Sequence, residues 1–278
     1  MNAIPDIRLN NGVAMPQLGF GVFQVSDDEA ERAVAIAIDD GYRSVDTARI
    51  YRNEEGTGRA LKSCGVPRGE LFVTTKLWNS DQGYDSTLRA FDASLDRLGL
   101  DHLDLYLIHW PVPTRDRYPD TWRAFERLYA DGRVRAIGVS NFLPEHLTRL
   151  MDAYDVVPAV NQIELHPYLQ QAELREFHAR HGIATEAYSP LGQGKGLLDD
   201  PAFGPIAAKH GKTAAQVVLR WHLQLGNIVI PKSVTPKRIK ENIEVFDFEL
   251  DGDDLAAIAT LERGHRTGPD PDTFNAGA

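Results

Sequence analysis

The sequence predicts an α/β fold, a closed (β/α)8 barrel preceded by an N-terminal β-hairpin. Three observations carry this prediction. Short apolar runs and amphipathic stretches alternate eight times, no linker interrupts the rhythm, and the chain has 278 residues, close to the usual size of one such barrel. The whole of 1–278 therefore reads as one domain.

Residues 7–15 read as the hairpin, with Asn11-Gly12 supplying the positive φ angles of a tight turn. Strands are predicted at 18–22, 44–46, 72–77, 103–109, 136–140, 159–164, 184–188 and 228–231. Helical periodicity runs over stretches such as 28–40, 83–98, 121–131, 144–153, 171–181, 213–224 and 236–246, with caps at Asp27, Asn53 and Thr213. Residues 191–205, rich in Gly and Pro, read as a long loop after the seventh strand. Residues 264–278 form a polar tail that either folds over the barrel mouth or stays mobile.

Composition narrows the function. Hydrophobic residues make up 42% of the chain, enough for a large core. A net charge of −10 disfavours nucleic acid and acidic membranes as partners, and any anionic ligand must meet a local basic cluster. Cys64 is the only cysteine, so neither an intrachain disulfide nor a thiolate metal cage is available. The stretch 1–11 lacks a basic-then-apolar leader pattern, and no apolar run approaches membrane-spanning length. A cytoplasmic protein is expected.

Asp46, Tyr51, Lys76 and His109 stand at or just beyond the ends of predicted strands, and together they can handle a proton. Functional residues of such barrels come from the C-terminal ends of different strands. Period-two alternation places Ser44 with Asp46, Thr74 with Lys76, and Leu107 with His109 on inward faces. A tyrosine titrates near ~10 in isolation, and a neighbouring ammonium from Lys76 is expected to lower that by about 1–3 units. Asp46 supplies the countercharge that lets Lys76 stay charged while buried. His109 can donate to a substrate carbonyl oxygen as charge develops there. Taken singly, Asp46 and Lys76 read as a structural ion pair, His109 as a strand end and Tyr51 as a loop tyrosine. Together the four could serve general acid catalysis of carbonyl reduction, or its reverse, a reading that their match to family contexts tips over the single-residue ones.

A cofactor site is sought among the glycines and cations. Gly56-Thr57-Gly58 lacks the third glycine of a dinucleotide fingerprint, and the glycines of 192–196 lie in a loop. Gly211-Lys212-Thr213 is better explained by helix capping through Thr213. The segment Ile230-Pro231-Lys232-Ser233, followed by Arg238, Glu241 and Asn242, is stronger. A strand ends there, a helix begins near Pro236, and cations gather where helix amides favour an anion.

The segments Gly41-Tyr42-Arg43-Ser44-Val45-Asp46-Thr47-Ala48, Leu71-Phe72-Val73-Thr74-Thr75-Lys76-Leu77-Trp78 and Leu103-Asp104-Leu105-Tyr106-Leu107-Ile108-His109-Trp110-Pro111 resemble the aldo-keto reductases, and the resemblance extends over nearly the whole chain. Within that family, Asn161-Gln162-Ile163-Glu164-Leu165-His166-Pro167 and Pro190-Leu191-Gly192-Gln193-Gly194 resemble the bacterial branch that includes 2,5-diketo-gluconate reductases. The resemblance implies a TIM barrel, the four residues above as a catalytic tetrad, and NADPH as cofactor. It further implies Lys232, Ser233 and Arg238 at the adenosine 2′-phosphate, with Val234 beside them among the cofactor contacts and Glu241 and Asn242 at the adenine. Ser140, Asn141 and Gln162 would meet the carboxamide, Tyr188 would stack on the nicotinamide, and Ser189, Leu191 and Gly192 would approach the pyrophosphate. Gly21 and Val22 match the end of the first strand, beside the nicotinamide.

Phe23, Trp78 and Trp110, with His109, are expected to line the substrate. Arg49 and Arg52 depart from the family's usual small residues and raise the prospect of acidic substrates. The expected partner is a small carbonyl compound met by a monomer, although no motif speaks to oligomeric state. A metal-dependent hydrolase would need paired histidines, but no His-x-His occurs, and His178 and His181 lie on a predicted outer helix. No metal is expected. A purely structural or cofactor-sensing barrel would have no use for the proton donor.

Overall fold

The computed structural model describes residues 4–277, so the first three residues of the N-terminal stretch and the last of the tail fall outside it. A small antiparallel pair, β1 (Asp6–Arg8) and β2 (Ala14–Pro16), comes first. Its turn departs from the tight form expected. Only Gly12 has positive φ (86°), and its N–H donates to the Leu9 carbonyl at 2.9 Å. This is a three-residue loop in which the glycine takes the left-handed position.

Eight parallel strands follow: β3 (Phe20–Gly21), β4 (Ser44–Asp46), β5 (Phe72–Leu77), β6 (Leu103–Ile108), β7 (Val134–Ser140), β8 (Val160–Glu164), β9 (Ala184–Tyr188) and β10 (Ile228–Val229). They form one sheet in sequence order. The sheet curls until its first and last strands meet: Gly19 N–H donates to Val229 O (2.9 Å), Val229 N–H to Gln17 O (2.9 Å) and Gly21 N–H to Pro231 O (3.1 Å). Glycine suits this seam, because a Cβ at Gly21 would stand 3.2 Å from the Ile230 carbonyl oxygen.

The expected alternation of faces is present. Phe72, Leu105, Leu107, Ala136, Val160 and Ile228 fill the concave interior, and Leu9 and Met15 of the hairpin plug its N-terminal end. Val45, Val73, Tyr106, Ile108 and Val139 face outward into a second core shared with helix residues Val34, Phe91, Trp122 and Leu147. The connecting helices are α1 (Asp27–Asp39), α2 (Glu54–Ser63), α3 (Tyr84–Leu98), α4 (Tyr118–Ala130), α5 (Pro144–Ala153), α6 (Ala172–His181), α7 (Phe203–His210), α8 (Ala214–Gln224), α9 (Pro236–Ile243) and α10 (Gly252–Ala259). None of them is long and apolar enough to cross a membrane.

Several local expectations need correction. Ser26, not Asp27, is the residue before α1, and Asp27 Oδ1 instead accepts the Gly56 N–H of α2 at 2.7 Å. Asn53 does precede α2, yet its side chain ties loops together: Nδ2 donates to Val22 O and Val25 O, both at 2.9 Å. Thr213 caps α8 as expected, in a reciprocal arrangement with Gln216. The stretch 191–205 is not one open loop, for it holds two 3-10 turns and the start of α7. Pro205 hides that helix from a sequence reading, but in the first turn a missing N–H costs nothing. The glycines of Gly56-Thr57-Gly58 serve helix packing. A Cβ at Gly56 would lie 2.0 Å from Asp27 O, and one at Gly58 2.3 Å from Leu98 O.

Candidate active site

The four predicted tetrad residues converge at the C-terminal end of the sheet. Asp46 ends β4, Lys76 lies near the end of β5, and His109 follows β6 directly. Tyr51 sits on a 3-10 turn, Arg49–Tyr51, stopped by Arg52 in the left-handed region (φ 58°). Lys76 Nζ donates to Asp46 Oδ1 at 2.5 Å and to the Thr47 carbonyl at 2.9 Å, and its side chain is fully buried. The same ammonium lies 5.1 Å from the Tyr51 ring centroid. The His109 ring packs edge-on against Tyr51 (5.7 Å) and Trp78 (5.3 Å).

A buried polar network supports this centre. Gln162 on β8 splits its amide between Asp46 Oδ2 and Glu186 Oε2, each at 2.8 Å. Tyr188 at the end of β9 donates its hydroxyl to Asn141 Oδ1 at 2.8 Å. Asn141 Nδ2 donates to the His109 carbonyl at 3.0 Å, and Ser140 Oγ to the Gln162 carbonyl at 2.8 Å. Asn141 and Ser189 both hold left-handed backbone just past their strands (φ 64° and 51°).

The electrostatics differ from expectation in one respect. Burial pushes the Tyr51 hydroxyl well above its ordinary value, the charge of Asp46 pushes the same way, and that of Glu186 adds to it once Glu186 is ionised. Lys76 was expected to bring it down. In the structure the ammonium sits over the ring face and is bound to Asp46 and Thr47, so its charge is already answered. The phenol is thereby kept protonated. Burial, reinforced by Lys76, holds the His109 imidazole well below its usual range, so it is neutral. A neutral imidazole has one N–H to donate.

A cavity of about 900 Å³ runs from this centre to β10 and α9. Asp46, Tyr51 and His109 line one end, while Lys76 stands behind Asp46. Lys232, Ser233, Val234, Arg238, Glu241 and Asn242 line the other, with Gly21, Ser140, Asn141, Gln162, Tyr188, Ser189 and Leu191 between. Two expected cofactor contacts do not reach it. Val22 is buried with its carbonyl bound by Asn53. Gly192 serves a turn at φ 68°, where a Cβ would meet Leu197 at 2.7 Å. Glu241 pairs with Lys237 at 3.6 Å. Neither Lys232 nor Arg238 makes an ion pair among the described residues, and both are exposed.

Phe23, Trp78 and Trp110 line the tetrad end as expected, whereas Arg49 and Arg52 are exposed and line none of it. Phe274 joins this wall, its ring 4.3 Å from that of Trp110. It is the only aromatic of the tail, which was the available signal. The tail lies over the cavity because buried Glu164 seizes it: Thr267 N–H and Oγ1 donate to Oε1 (2.5 and 2.7 Å) and Gly268 N–H to Oε2 (2.8 Å). Lys195 Nζ joins the preceding loop to the Thr267 carbonyl at 2.9 Å. Burial alone would raise the Glu164 carboxyl, but hydrogen bonds from His166, Thr267 and Gly268 outweigh it and hold it at about 2. Ala214 and Ala215, at the start of α8, also line the cavity, and small apolar residues gave no sequence signal.

The pattern for the aldo/keto reductase family matches residues 15–263. An aldo-keto reductase of Mycolicibacterium smegmatis is 63% identical over 271 residues, 98% of each chain. Glyoxal reductase of Bacillus subtilis is 55% identical over 267 residues, 96% of each chain. The crystal structure of a Gox0644 variant in complex with NADPH superposes with a TM-score of 0.95 at 54% identity, covering 99% of this chain and 100% of that one. The seam, the converging strand ends and these likenesses agree: the chain belongs to the aldo/keto reductase family.

Proposed function

We propose that this protein is an NADPH-dependent reductase of small aldehydes and α-keto or dicarbonyl compounds, built as a single closed (β/α)8 barrel, with Tyr51 as the general acid. One observation carries the reading. A protonated phenol and a neutral imidazole face one end of a cavity whose other end carries two cations without ion-pair partners.

The residues present suit NADPH. Lys232 and Arg238 flank the start of α9, whose first turn holds no acid and begins with Pro236, so its field favours a phosphate. Gln162 spends its N–H groups on Asp46 and Glu186, which leaves its carbonyl oxygen to accept from a carboxamide. The Tyr188 ring lines the cavity between the two ends and is anchored by its hydroxyl. When bound, NADPH supplies the hydride.

The remaining work belongs to the chain. His109 donates its N–H to the substrate carbonyl oxygen and stabilises the charge that builds there. Tyr51 gives its proton to that oxygen. Lys76, bound to Asp46 beside the ring, answers that carboxylate, so the phenolate left behind faces a paired rather than a free negative charge. Phe23, Trp78, Trp110 and Phe274 exclude water and provide an apolar wall. Because no cation lines that end, neutral dicarbonyls such as glyoxal fit better than acidic substrates, and the name of the Bacillus subtilis relative supports this. The test is NADPH oxidation with a panel of neutral and acidic carbonyls. The reading requires the highest kcat/KM on a small neutral aldehyde or dicarbonyl, and no turnover across the panel would end it.

A further inference from the structure

Glu186, in the middle of β9, has no part in the chemistry above, yet it faces the proton-handling centre. Its side chain is fully buried. Oε2 accepts one N–H from Gln162, and Oε1 has no partner. The groups packed round it come from every neighbouring element. Asp46 comes from β4, Lys76 from β5, Gln162 from β8 and Tyr51 from the 3-10 turn, while Ile228 is its register partner on β10.

The charge balance of this group is uneven. One ammonium, Lys76, faces two carboxyls, and it is committed to Asp46 at 2.5 Å. Both Asp46 oxygens are satisfied, Oδ1 by that ammonium and Oδ2 by Gln162. Glu186 has a single neutral donor and no cation. Burying a second negative charge under those terms is far costlier than burying a neutral acid. The proton therefore resides on Glu186.

We propose that Glu186 is a positioning residue of the acid centre: it holds a proton at the end of the Glu186–Gln162–Asp46–Lys76 chain, leaves Lys76 with one carboxylate to answer, and spares the Tyr51 phenol a second negative neighbour. This rests on the reading of Tyr51 as the proton donor. Burial, with the charge of Asp46 added, pushes the Glu186 carboxyl up to about 8. At neutral pH the acid is thus loaded. Once it ionises, its charge makes Tyr51 a weaker acid, so reduction slows in alkali before the phenol itself titrates.

The test is single-turnover reduction against pH, in the wild type and in Glu186→Gln, an isosteric change that is neutral at every pH. In the wild type the rate should drop roughly 3- to 10-fold through pH 8 to a lower plateau. In Glu186→Gln that step should vanish. A variant that retains the step, or a wild type without one, overturns the proposal, since a merely structural glutamate would leave the profile unchanged. A second measurement needs no variant. In wild-type protein carrying carboxyl-¹³C glutamate, one resonance should titrate near pH 8, and its absence also overturns the proposal. The same resonance should titrate in Tyr51→Phe. Loss of the tyrosine assignment and loss of the glutamate assignment are thereby told apart.

Discussion

The proton-handling end of the cavity is buried and internally paired, whereas the end at β10 and α9 is open and its cations face solvent. Lys76 and Asp46 have side chains 0% and 4% exposed and answer each other directly. Lys232 and Arg238 are exposed and make no ion pair among the described residues. The first pair works through low dielectric, where charges are strong and hardly screened. In the proposed function the second works through unsatisfied attraction, open to a ligand that brings its own charge. A chain with a net charge of −10 needs the second device to hold an anion at all.

The largest expected effect lies at the buried end. Tyr51→Phe should lower kcat for reduction by about 10²–10⁴-fold, the usual contribution of a general acid, with NADPH affinity unchanged. Retention of a tenth of wild-type kcat would place the acid elsewhere. Lys76→Met strands Asp46 as an uncompensated buried charge, and chemical denaturation should show a loss of about 3–5 kcal/mol alongside lost turnover. A variant of normal stability would mean that Asp46 had found another cation.

The open end should respond differently. Two charge-assisted hydrogen bonds of about 1.5–3 kcal/mol each give NADPH a preference over NADH of roughly 10²-fold or more. Arg238→Ala should weaken NADPH much more than NADH, by fluorescence titration, and rising salt should shrink the preference. Salt should leave the Tyr51 step untouched. Equal affinities for the two cofactors at low salt would remove the contrast between the two ends.

The smallest effect concerns the tail, which borrows from both regimes. Glu164→Gln weakens a buried anchor of an exposed segment, so KM should rise roughly 3- to 10-fold with kcat little changed. The Glu164 carboxyl is held at about 2, below its ordinary value near 4.5, so its contribution is present above that value and is lost as pH falls towards 2. Proteolysis of the tail should accelerate over that acid window in the wild type and show no such pH dependence in Glu164→Gln.

Alternation and period alone placed the eight strands in order, the inward faces of Asp46, Lys76 and His109, and the cap at Thr213, because burial of one face leaves a periodic trace in a linear chain. The basic segment at 230–242 was legible for a similar reason: its cations stand close together in sequence at a helix start, whose field favours an anion. The α7 helix was not, since Pro205 and Gly204 mimic a loop. Tertiary structure alone decided which groups meet across the sheet. Gln162 bridging Asp46 to Glu186, Glu164 capturing Thr267, and Phe274 on Trp110 join residues far apart in sequence, and no local pattern encodes such pairs. It also decided the state of Tyr51. The sequence placed an ammonium beside the phenol, but burial and the position of Lys76 over the ring face set the sign of the shift, because desolvation depends on everything packed around the hydroxyl.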